Sequence, residues 1–202
     1  MASVVDICNI ALSRLGDEAS VTSIDPPEGS AQSEHCARWY PLTRDKALQA
    51  FPWSFATKTT TLAPLATKPC QWEFAYKLPA DCLRIIEVVH PSYVPAGSPL
   101  PYRVEIIDGA RCLITNVERV SVRYIFQQHN SSFYTPSFVD ALAWLLASDL
   151  AGSVHTGSTG ISIAQNCYKA YMTAVEIAKI EDVKQQSEEF EFKPRMQGDY
   201  YG

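Results

Sequence analysis

The sequence predicts an α+β protein: a bundle of about four helices, an antiparallel β-rich insert between the second and third of them, and an extended C-terminal arm. Two observations carry this. Apolar residues recur at helical spacing over residues 1–51 and again over 136–185. Between them, residues 52–135 break into short runs of β-branched and aromatic residues separated by Pro, Gly and Asp. The bundle is therefore assigned to 1–51 and 136–185, the insert to 52–135 and the arm to 186–202. An amphipathic helix cannot bury its own apolar face, so the two halves of the bundle must meet across the insert.

The first helix is expected over Ser3–Leu15, with Ser3 as cap and Asp6 at the third position in a capping box. Val4, Ile7, Cys8, Ala11, Leu12 and Leu15 share one face, and Gly16 supplies a left-handed stop. Asp25 to Gly29, with two prolines and a glycine, is a loop. The second helix runs from Ser30 to about Ala50, with Cys36, Trp39, Tyr40, Thr43, Ala47 and Leu48 on its buried side and a kink expected at Pro41. Phe51-Pro52-Trp53 ends it. Trp53 and Phe55 are expected to be fixed by packing where this helix passes into the insert.

In the insert, strands are expected over 71–77, 83–89, 102–107, 111–114 and 119–126. Asp108-Gly109 marks a hairpin. Val120, Val122, Tyr124 and Phe126 alternate with Ser121, Arg123 and Ile125, as in a half-buried strand. Four prolines and a glycine make Pro91–Pro101 an exposed loop, expected to touch a neighbour. The third helix opens at Pro136-Ser137 and is expected to end at Gly152. Ser158-Thr159-Gly160 precedes a fourth, reaching about Lys184. Past that point the chain is acidic and polar, punctuated by aromatics. Phe190, Phe192, Arg195, Tyr200 and Tyr201 are read as a docking arm, aromatics anchoring in pockets and acids setting orientation.

Composition narrows the function classes. The chain has 202 residues and a formal net charge of −5. Residues 181–202 hold six acids against three bases, so −3 of the −5 lies there and the rest is nearly neutral. Tight nucleic-acid binding needs a basic surface that releases counterions, which this sequence does not offer. The six cysteines (Cys8, Cys36, Cys70, Cys82, Cys112 and Cys167) show no CxxC spacing and read as reduced, mostly buried thiols. No basic leader and no run of about 18 apolar residues is apparent, so a protein without signal peptide or membrane span is expected.

Chemistry-bearing motifs are missing: there is no G-x-S-x-G, Walker loop, G-x-G-x-x-G or H-E-x-x-H. His35 and Cys36 are sequence neighbours, about 100° apart on a helix, and do not form a dyad. The four histidines lack metal-ligand spacing, and Trp39, Trp53, Trp72 and Trp144 lack the interleaved basic residues of a base-stacking surface. Arg44 and Asp45, with Asp81 and Arg84, are the one charged set of interest, read as salt bridges within or between subunits. No catalytic residue, cofactor or metal is expected.

Four ordered stretches resemble a known family. Ile10-Ala11-Leu12-Ser13-Arg14-Leu15-Gly16 is similar to its opening "ALxxLG" helix. Tyr40-Pro41-Leu42-Thr43-Arg44-Asp45-Lys46-Ala47-Leu48, running into Pro52-Trp53-Ser54-Phe55-Ala56, is similar to "YpxxRDxxLxxxxWxFA". Tyr76-Lys77-Leu78-Pro79-Ala80-Asp81-Cys82-Leu83-Arg84 resembles "YxLPxDclR", and Phe138 to Ala143 with Leu150-Ala151 resembles the third helix. The family is the head-to-tail adaptor, or tail tubular protein A, of short-tailed bacteriophages. The likeness covers roughly residues 5–180 and does not extend to the arm. It implies a structural subunit of a homo-oligomeric, dodecameric ring in the virion neck, made in the host cytoplasm. Its partners would be the portal protein and the tail nozzle protein, with DNA passing through unbound. A near-neutral body suits a conduit, since each basic contact with phosphate would retard sliding. The alternatives are another phage ring component, such as a head-completion or tail-terminator protein, and a hydrolase with an unrecognised site.

Overall fold

The computed structural model describes residues 2–18, 20–67, 69, 71–89 and 100–185. Cys70, all but the end of the Pro91–Pro101 loop, and the arm from 186 onwards lie outside the described residues. Among the described residues the chain is mixed helix and sheet: four helices and two small antiparallel sheets.

Helix α1 (Val4–Arg14) begins in the expected capping box. The Ser3 hydroxyl accepts from the Asp6 amide at 3.1 Å, and the Asp6 carboxylate accepts from the Ser3 amide at 2.8 Å. It ends where Gly16, at φ +76°, lets the Asp17 amide reach back to the Leu12 carbonyl. Helix α2 (Ala31–Gln49) is capped by Ser30 and continues through Pro41. Trp39, expected on its buried face, is half-buried, and Ser33 and Arg44 are buried there as well.

A 3-10 turn, Ser54–Ala56, leads into strand β1 (Thr57–Thr61). The strands β2 (Phe74–Lys77), β3 (Cys82–Val89), β4 (Arg103–Ile107), β5 (Ala110–Thr115) and β6 (Ser121–Phe126) follow. The sheets have the orders β1-β6-β3 and β2-β5-β4. Asp108 and Gly109 turn the β4–β5 hairpin with φ +50° and +74°, the double left-handed conformation that favours Asp-Gly. Strand β1 was not anticipated. Its sequence, Thr-Lys-Thr-Thr-Thr, is β-branched but has no apolar face to announce it, and it lies at the sheet edge against β6.

The strict alternation expected of β6 is also corrected. Ile125, placed on its polar side, is fully buried. The first sheet is a wall with a core on each side. Ile125, Leu83 and Ile86 pack into the helical core, while Val120, Val122 and Tyr124 join Tyr76, Leu113 and Leu100 between the sheets. The layers are therefore helices, sheet, sheet.

Helix α3 (Pro136–Val154) starts at Thr135, with Pro136 in the first turn, where its missing N–H leaves no helical bond unmade. It does not stop at Gly152 but runs on to Val154. The glycine that matters is Gly160. A Cβ there would come within 2.3 Å of the His155 carbonyl oxygen, so the α3–α4 turn admits no side chain. His155 also reaches the Leu15 carbonyl at 2.7 Å, joining this turn to the end of α1. Helix α4 (Gly157–Gln185) therefore starts before Gly160 rather than after it. Helix α3 is central, packed along α4 on one side and against α1 and α2 on the other. It is long and apolar enough to cross a membrane by length and composition, which amends the expectation that no such run exists. Ten of its residues, among them Phe138, Leu142, Leu145 and Leu146, are buried in the bundle.

Candidate functional site

Three nodes hold the places where the bundle meets the insert. The first is the exit of α2. Trp53 is fully buried and gives its indole N–H to the Ala47 carbonyl at 3.1 Å, satisfying its only polar atom. Its ring lies 5.0 Å from Phe138 on α3, 5.1 Å from Phe51 and 5.9 Å from Phe55. Phe55 in turn meets Phe138 and Tyr134 at 5.0 and 5.5 Å. Next to it, the Asp182 carboxylate near the end of α4 accepts from the Ser54 amide at 3.1 Å and the Ser54 hydroxyl at 2.7 Å. Asp182 is only 1% exposed. One carboxylate thus caps the start of the 3-10 turn and fastens the last helix to it.

The second node is Arg44. It is 6% exposed, and its guanidinium meets the neighbouring Asp45 through Nε and Nη2, both at 2.8 Å. Nη1 lies 2.9 Å from Nδ1 of His129. Because a guanidinium can only donate, that ring nitrogen accepts and the imidazole proton sits on Nε2. The other Asp45 oxygen accepts from the Gln127 side chain at 2.6 Å. The Gln127 backbone amide donates to the Asp81 carbonyl at 2.8 Å. Gln127 therefore bridges the second node to the third.

At the third node Asp81 holds Lys58 at 3.1 Å and accepts from the Tyr124 hydroxyl at 3.1 Å. Burial, then the Asp81 charge, push the Tyr124 hydroxyl up to about 12. Lys58 also lies 3.7 Å above the Phe126 ring. The expected set of four charges is thus divided. Arg44 and Asp45 pair with each other, Asp81 pairs with Lys58, and Arg84 is exposed on β3. Tyr40, one turn before Arg44, is buried beside Tyr134, whose hydroxyl burial pushes up to about 12.

Gln127, His129, Lys58, Ser54 and Asp182 were not singled out from the sequence. The first two follow β6 directly, and nothing in their local pattern marks them. Phe190, Phe192, Arg195, Tyr200 and Tyr201 lie outside the described residues. Cys8, Cys36, Cys82, Cys112 and Cys167 are free and buried. Burial raises the Cys82 and Cys167 thiols, against the ionisation a nucleophile needs. Among the described residues, no three His, Cys, Asp or Glu side chains are grouped so as to hold a metal.

Among the described residues, several large apolar side chains are exposed on α4, interspersed with Gln165 and Lys179. Ile161, Tyr168, Met172 and Val183 are exposed on α4 and fall within about 60° of arc at 100° per residue. They lie beside the face that packs on α3. No protein-family model matches the chain, and no curated protein matches it in sequence.

Two outcomes follow from these nodes. Trp53→Ala removes the shared ring of the hinge and should cost about 3–5 kcal/mol. In a chain of this length that lowers the thermal midpoint by roughly 6–20 °C, and an unchanged midpoint would show that the hinge is not held there. Arg44→Lys keeps the charge but loses the fork between Asp45 and His129. Urea unfolding should show a loss of about 1.5–3 kcal/mol; wild-type stability would mean that the node carries no weight.

Proposed function

We propose that this chain is a structural head-to-tail connector subunit, forming a ring between a phage portal and the tail nozzle around the DNA passage. The observation that carries the reading is where three of the four family-like stretches fall. Arg44 and Asp45 form the node on α2, one turn after the buried Tyr40, and Trp53 and Phe55 form the hinge. Tyr76 is fully buried, Asp81 anchors the third node and Phe138 closes the aromatic cluster. Several of the residues that carry the likeness join bundle to insert. A ring subunit under load needs such joints to be stiff, because its two parts must hold different neighbours at a fixed angle.

A four-helix bundle with a β-rich insert and a C-terminal docking arm suits this role. The exposed apolar residues of α4, Ile161, Tyr168, Met172 and Val183, are consistent with contact to a neighbouring subunit. The low positive charge supports a conduit that DNA slides through. Aromatic and acidic residues in 186–202 support a portal-binding arm whose weak single contacts add up around a ring through effective concentration.

The test is light scattering of the purified protein, alone and mixed with the portal of the same virion. The reading expects a complex many times the 22.4 kDa of one chain. It expects a chain truncated after Gln186 to fold with an unchanged circular dichroism spectrum but to lose portal joining. A full chain that never joins the portal, or a truncated one that joins undiminished, would contradict it.

A further inference from the structure

The edge of a sheet can accept a further strand, because its outward N–H and C=O groups have no partner in the sheet. Of the four edges of the two sheets, three are covered or ill suited. Along β2, the Leu65 amide donates to the Ala75 carbonyl at 2.7 Å and Pro64 bridges Tyr76. Strand β3 is irregular, with two register shifts against β6, and β1 is a short polar run. The fourth edge is β4, which pairs with β5 in an unbroken register. Among the described residues, no backbone hydrogen bond reaches its outer side.

The Asp108-Gly109 turn decides which groups of β4 face outward. It closes on Ile107 opposite Ala110, and in a two-residue hairpin that pair is hydrogen-bonded. Bonded pairs recur at every second residue, so Ile107, Glu105 and Arg103 turn their N–H and C=O to β5. Those of Val104 and Ile106 point away from the sheet. Strand β5 agrees: Arg111, opposite Ile106, turns its carbonyl the other way, to the Leu78 amide at 3.0 Å. Side chains alternate as well. Val104 and Ile106, 43% and 68% exposed, share a face with Tyr102, while Arg103 and Glu105 are exposed on the opposite face. Neither of these two charges enters an ion pair among the described residues.

We infer that the β4 edge pairs with the β4 edge of a second copy of this chain, antiparallel, about a two-fold axis at Val104. Backbone and charge together select that register. Only registers that set outward residues opposite outward residues can bond. An axis at Arg103 sets that arginine opposite itself, and an axis at Glu105 sets that glutamate opposite itself; like charges directly opposite are unfavourable. An axis nearer either end leaves most of β4 unpaired. An axis at Val104 sets Arg103 opposite Glu105 of the second copy, and Glu105 opposite its Arg103. On the other face it sets Val104 opposite Val104 and each Ile106 opposite a Tyr102, an aromatic and β-branched pair. The outward groups of Val104 and Ile106 are then all used. The placing of Arg and Glu on either side of Val104 makes this edge complementary to itself. The product is one continuous sheet of six strands, β2-β5-β4-β4-β5-β2. Such a contact is complete with two copies, so it is separate from any ring contact and does not rest on the connector reading.

The test is sedimentation equilibrium of the full chain at up to about 1 mM, where weak specific contacts populate a complex. The wild type should dimerise. Arg103→Glu sets Glu opposite Glu at both ends of the contact, and Glu105→Arg sets Arg opposite Arg. Each should weaken the dimer about ten-fold or more. Circular dichroism and the thermal midpoint should not change, because both side chains are exposed. An equimolar mixture of the two single variants again sets Glu opposite Arg at both ends, and should recover the wild-type affinity. The double variant, with the charges exchanged, should recover it too. A wild type that stays monomeric, single variants that associate undiminished, or a mixture that stays monomeric overturns the inference.

Discussion

The fold depends on closing one hydrophobic core from two pieces of chain that the insert holds 84 residues apart, 52–135. Helices α1 and α2 come from one piece, α3 and α4 from the other, and none of them can bury its face alone. Trp53 lies at the seam. It follows α2, packs on the first turn of α3 through Phe138, and precedes the strand that pairs with β6. A Trp in such a position removes a large apolar area from water and fixes the angle at which the chain leaves the bundle. Asp182 adds the other end of the chain to the same seam, because its carboxylate holds Ser54. The first sheet then has no freedom to swing. Its inner face is filled by Ile125, Leu83 and Ile86 against the helices, and its outer face by the second sheet.

The Arg44 node shows the same constraint in polar form. Burying a guanidinium is costly unless its charge is matched and its N–H groups are engaged. Asp45 matches it from the next position on the helix, and the segment after β6 completes it through Gln127 and His129. This makes the node conditional on the insert being docked. A bundle without its insert would expose Arg44 to solvent but lose the partners that orient it. Coupling of this kind makes the orientation of the second helix depend on the insert, and the orientation of the insert on the helix.

The sequence was most informative where structure is made locally. Ser3 with Asp6, Ser30, Pro136 and the Asp108-Gly109 hairpin were all readable, because caps and tight turns are satisfied by residues within three or four positions. Helix α3 was misjudged at its end because Gly152 has open space around it and no conformational demand, whereas Gly160 is fixed by a carbonyl five residues back. Strand β1 escaped because an edge strand of threonines has no apolar period. The burial of Ile125 escaped because it depends on which layers cover the sheet. Of the site, Arg44, Asp45, Trp53, Phe55 and Asp81 were visible as residues; their partners were not. Gln127, His129 and Asp182 lie 82, 85 and 128 positions from Asp45, Arg44 and Ser54, and only the folded topology brings them together.

The claim that the two halves form one cooperative unit is tested most directly by native-state hydrogen exchange, resolved by residue. The account predicts that the slowest amides of α1, α2, α3 and α4 exchange with one common free energy, equal to that of global unfolding, and that the central strand β6 joins them. If α3 and α4 opened at the global value while α1 and α2 exchanged several kcal/mol sooner, the seam at Trp53 would not be what holds the molecule together.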